Sequence, residues 1–122
     1  VDRMGQREAA LVSSVDLFAT IAELAGADMQ DSQDGQSFAG LLVDASAPAR
    51  THVYSEIGGD IPVFAIRDSA YKLIDFGGGD RQLFHLASDP YERSDLLSDD
   101  LDAEAASALA TLEREALSLR TP

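Results

Sequence analysis

From Val63 to Leu86 the side chains alternate in character with a period of two through two chain reversals, and the run then meets Asp89-Pro90-Tyr91-Glu92. A period of two belongs to an extended chain and is incompatible with a helix. Val63, Ala65 and the aliphatic part of Arg67 share one side, with Phe64 and Ile66 on the other. Asp68-Ser69-Ala70 reverses the chain, and Tyr71, Leu73 and Asp75 alternate with Lys72, Ile74 and Phe76 in a second strand ending at Gly77-Gly78-Gly79-Asp80. Gln82 to Leu86 makes a third. Asp89 suits the first position of a type I turn, where its carboxylate can accept a backbone N–H, and Pro90 presets the next φ. The pattern is an antiparallel meander closed by a stiff turn.

Elements around it follow local rules. Ser13 with Asp16 three residues on fits a capping box, and Leu17, Phe18, Ile21, Ala22, Leu24 and Ala25 mark a broad apolar helical face that Gly26 ends. Ala27 to Gln36 reads as a polar, acidic loop, and Ser37 as the cap of a short helix through Leu41-Leu42-Val43. Another strand is expected at His52–Ile57, linked to the meander by Gly58-Gly59-Asp60. Leu101, Ala105, Leu109, Leu112, Ala116 and Leu119 stripe a final helix, with Asp99, Asp100 and Asp102 complementing its N-terminal dipole. The fold expected is α+β: a small antiparallel sheet of about four strands packed by the C-terminal helix, with an extra N-terminal helix. Residues 1–50 form the segment carrying that helix, and residues 51–122 form the sheet-and-helix subdomain.

Charge and composition narrow the partners. Nine Lys and Arg stand against 22 Asp and Glu, and the net charge of −13 repels phosphate backbones and anionic lipid, so neither nucleic acid nor membrane is expected. No apolar run approaches the ~20 residues that span a bilayer. The absence of cysteine removes disulfides, thiolate nucleophiles and zinc-thiolate sites and leaves the compartment open. The chain begins Val1-Asp2-Arg3, which suggests a processed, truncated or domain-length piece.

Possible chemical sites are weak one by one. Asp28, Asp31 and Asp34 recur every three residues, whereas calcium loops of the EF-hand type place ligands at every second residue. Gly35-Gln36-Ser37-Phe38-Ala39 falls short of a nucleophile elbow, because it ends in Ala and follows a polar loop instead of a strand. A small hydrolase pairing Ser37 with His52 or His85 is accordingly disfavoured. Gly77-Gly78-Gly79 has no Lys and no helix after it and reads as a flexible hairpin loop. His85 reads as a half-exposed strand residue. His52, Glu56 and Asp60 could line the edge of a cleft and are the candidate substrate-contacting residues. No catalytic residue and no metal ligand is assigned.

Taken in order, several short motifs resemble the late part of sulfatases of the alkaline phosphatase superfamily. They are Ser13-x-x-Asp16-Leu17-Phe18-x-Thr20-Ile21-x-x-Leu24-Ala25-Gly26, where Ala19 stands for a customary Pro, and Asp34-Gly35-x-Ser37-Phe38-x-x-Leu41-Leu42. Ser55-Glu56, Ile66-Arg67-Asp68-x-x-Tyr71-Lys72-Leu73-Ile74 and Leu83-Phe84-x-Leu86-x-x-Asp89-Pro90-x-Glu92-x-x-x-Leu96 follow in the family's order. The likeness covers about Val12 to Leu97 and continues into the customary final helix.

The resemblance implies a C-terminal piece of an arylsulfatase-like hydrolase that is inactive alone. The family's formylglycine-forming Cys or Ser, in a Cys/Ser-x-Pro-x-Arg motif, and the carboxylates that hold its calcium are expected before the matched region. No cofactor is expected in this chain itself. Its implied partner is the N-terminal catalytic domain, or a second copy meeting the exposed helix. A stand-alone binding module is an alternative, as is a relative of the phosphonate monoester hydrolases and phosphodiesterases that share this tail.

Overall fold

A computed structural model describes residues 3–28, 34–60 and 62–120. The chain divides into two compact units, Val1–Thr51 and His52–Pro122.

The first unit is organised by helix α1, Asp16–Leu24. The helix begins at Asp16 and not at Ser13, because the capping box is only half formed: the Asp16 carboxylate accepts the Ser13 N–H at 2.8 Å, and the helix start has no side-chain cap. Its end follows the sequence, with Gly26 at φ +69 while Ala27 N–H donates to Ala22 and Gly26 N–H to Glu23, a Schellman closure. The short helix is a 3-10 turn, Ala39–Leu42, with the Ser37 hydroxyl accepting Ala39 N–H at 3.1 Å. Leu11 pairs with Arg50 in an isolated antiparallel bridge.

Helix α1 leaves its apolar face exposed, as the resemblance implied, and turns a polar face inward. Asp16, Ala19 and Thr20 are buried, whereas Leu17, Phe18, Ile21 and Leu24 are 53%, 62%, 65% and 64% exposed. The polar side turns inward because it is bonded there. Arg50 holds Asp16 at 2.5–2.8 Å, Gln36 N–H donates to the same carboxylate, and Thr20 Oγ1 donates to Asp16 O while accepting Phe38 N–H.

The second unit is a four-stranded antiparallel meander in the order β1-β2-β3-β4: β1 Val53–Ile57, β2 Val63–Arg67, β3 Tyr71–Gly77 and β4 Asp80–His85. Asp68 Oδ1 accepts the N–H groups of Ala70 and Tyr71 and so makes the β2–β3 reversal. The β3–β4 reversal is tight and not a loose loop: Gly78 and Gly79 have φ of +64 and +94, the sign a primed hairpin turn needs at both central positions. After β4, Asp89 Oδ2 accepts Arg93 and Ser94 N–H, and Lys72 Nζ reaches the Glu92 carboxylate at 2.7 Å.

Helix α2, Ala103–Arg120, starts where Asp102 Oδ1 accepts Ala105 N–H at 2.8 Å and packs on β2 and β3. Phe64, Ile66, Tyr71, Leu73 and Leu83 from the sheet meet Ala105, Leu112 and Ala116 in one buried cluster. Of the expected stripe, Leu119 lies outside it and is 55% exposed.

Candidate functional site

The three residues expected to face substrate lie just before, within and after β1. His52 precedes the strand, Glu56 is its fourth residue, and Asp60 sits exposed in the connection to β2. Glu56 is engaged with α2: its carboxylate accepts the Tyr54 hydroxyl and lies 3.4 Å from Arg120 Nε. Arg120 also stacks 5.0 Å above the Phe64 ring, which is itself stacked on Tyr54. Burial, and then the Glu56 carboxylate, push the Tyr54 phenol up to about 12. This constellation pins the end of α2 to the sheet.

A cavity of about 230 Å³ opens where β3, β4 and the start of α2 meet. Tyr71, His85, Ser88, Asp100 and Asp102 are among its walls, and His85 Nδ1 is 2.6 Å from Ser88 Oγ. A hydroxyl beside an imidazole is the beginning of a nucleophile and base, yet the surroundings oppose the chemistry. The Ser88 and Asp89 N–H groups are both spent on His85 O, so neither is available to an oxyanion. The field there is negative: burial, then Glu104, Asp102 and Asp68, raise the Tyr71 phenol.

The other sequence candidates resolve into scaffold. Asp34 gives its carbonyl to Arg50 Nη2, Asp28 is exposed, and Asp31 lies outside the described residues. Among the described residues no group of three or more His, Asp and Glu is arranged to hold a metal. Asp16 is the most constrained carboxylate: burial would raise it, but Arg50, Gln36 and Ser13 together outweigh that and hold it below the usual carboxylate range.

The Ser-x-Pro-x-Arg motif, which the resemblance places before the matched region and outside this chain, does occur in it as the string Ser46-Ala47-Pro48-Ala49-Arg50. It falls between the second and third matched motifs, and its residues are otherwise occupied. Ser46 sits exposed in a turn where both its N–H and its hydroxyl donate to Asp44 Oδ1 at 2.8 Å. Arg50 is locked onto Asp16. The string serves the turn and the buried ion pair, and no metal-binding carboxylate cluster accompanies it among the described residues.

Cations are similarly committed. Among the described residues, Arg3, Arg50, Lys72, Arg81, Arg114 and Arg120 pair with carboxylates. An ester carrying a sulfate or phosphonate oxyanion needs positive groups that are not already neutralised.

Residues 2–120 match the family model described as N-sulphoglucosamine sulphohydrolase, C-terminal. No curated protein matches the chain. A candidate sulfatase of Bacteroides thetaiotaomicron VPI-5482 superposes with a TM-score of 0.66 at 26% identity, over 84% of this chain and 23% of that one. A protein solved in complex with its substrate D-glucosamine-2-N,6-O-disulfate gives 0.71 at 19% identity, over 91% and 25%. The phosphonate monoester hydrolase of Agrobacterium radiobacter gives 0.68 at 24% identity, over 89% and 25%. The chain thus spans about a quarter of the length of these solved relatives.

Proposed function

Because the chain belongs to the N-sulphoglucosamine sulphohydrolase C-terminal family, we propose that it is the supporting C-terminal part of a sulfatase-type hydrolase whose reacting groups lie outside it. The observation that carries this reading is the commitment of its polar chemistry to internal contacts, Arg50 to Asp16 and Glu56 to Arg120 above all. Calcium and the nucleophile belong, in this reading, to the remaining part of such an enzyme. That part is also the proposed partner: it covers Leu17, Phe18, Ile21 and Leu24, which this chain leaves in solvent. His52, Glu56 and Asp60 are retained as residues that border the substrate cleft, Glu56 being also held by α2.

The likeness to a phosphonate monoester hydrolase supports a second reading, in which the whole enzyme cleaves a phosphonate ester and not a sulfate ester. The test uses the enzyme that contains this chain, assayed against p-nitrophenyl sulfate and p-nitrophenyl phenylphosphonate. Preference for the sulfate supports the first reading and preference for the phosphonate the second. Activity on neither would overturn both.

A further inference from the structure

We draw no further inference here: the strongest candidate, the cavity walled by Tyr71, His85 and Ser88 at the start of α2, offers a ligand chiefly the carboxylates of Asp100 and Asp102, and nothing in the structure points to what would occupy it.

Discussion

At the scale of single residues, the Asp16–Arg50 pair organises the first unit. Asp16 is 1% exposed and ties three separate stretches together through Ser13, Gln36 and Arg50. Removing its charge strands a guanidinium, so Asp16→Asn is expected to cost about 3 kcal/mol, measured by chemical denaturation. The folded-state pKa of Asp16 is depressed, so its stabilising effect is present above the unfolded value near ~3.9 and is lost as pH falls through the folded value. The gap in stability between the parent and Asp16→Asn should therefore narrow on acidification below about pH 4. A gap independent of pH would mean that the pair is not what Asp16 contributes. Gly35 is the companion test: a Cβ there would stand 2.5 Å from Val15 O, which is backbone and cannot swing away. Gly35→Ala should cost about 2 kcal/mol by the same measurement, through forced displacement of the start of α1.

At the scale of elements, the strands were legible because a period of two, Asp-led turns and paired glycines act locally. Observed and expected strand limits differ by a residue or two at most: β4 begins at Asp80 and not Gln82 because the Gly78-Gly79 turn needs no further residues. Helix α2 was legible for the same reason, and Leu112→Ala, which empties a fully buried position of its cluster, should lower stability by about 3 kcal/mol. The exposed apolar face of α1 was expected from the resemblance, whereas its polar inner face, with Asp16 and Thr20 bonded to Arg50, Gln36 and Phe38, was not legible. The apolar residues of α1 recur at helical spacing, and the pattern alone says that such a face is covered, without saying by what. Within this chain the polar residues Asp16 and Thr20 have partners on the inner side, which leaves the apolar side in solvent. Substituting Phe18→Ser and Ile21→Ser together should hardly change the melting temperature, since both side chains are more than half exposed. The same pair should suppress concentration-dependent association of the isolated chain in light scattering. A large fall in melting temperature would show that this face is internally packed.

At the scale of the whole molecule, the ordered motifs located the chain within a family, while the site remained out of reach of the sequence. The reason is physical. His52, Glu56, Asp60 and His85 are residue types with catalytic uses, but their roles depend on what they touch, and Glu56 touches Tyr54 and Arg120. Ser46-x-Pro-x-Arg50 shows the converse: the string satisfies a catalytic motif, while its hydroxyl and guanidinium are bound to Asp44 and Asp16. We propose that this chain supports a sulfatase-type enzyme whose reacting groups lie outside it. The most direct measurement is turnover of p-nitrophenyl sulfate by the purified chain with added calcium, beside its Ser46→Ala variant. The account predicts release of p-nitrophenol no faster than in buffer for both proteins, and turnover by the parent chain that disappears in Ser46→Ala would contradict it.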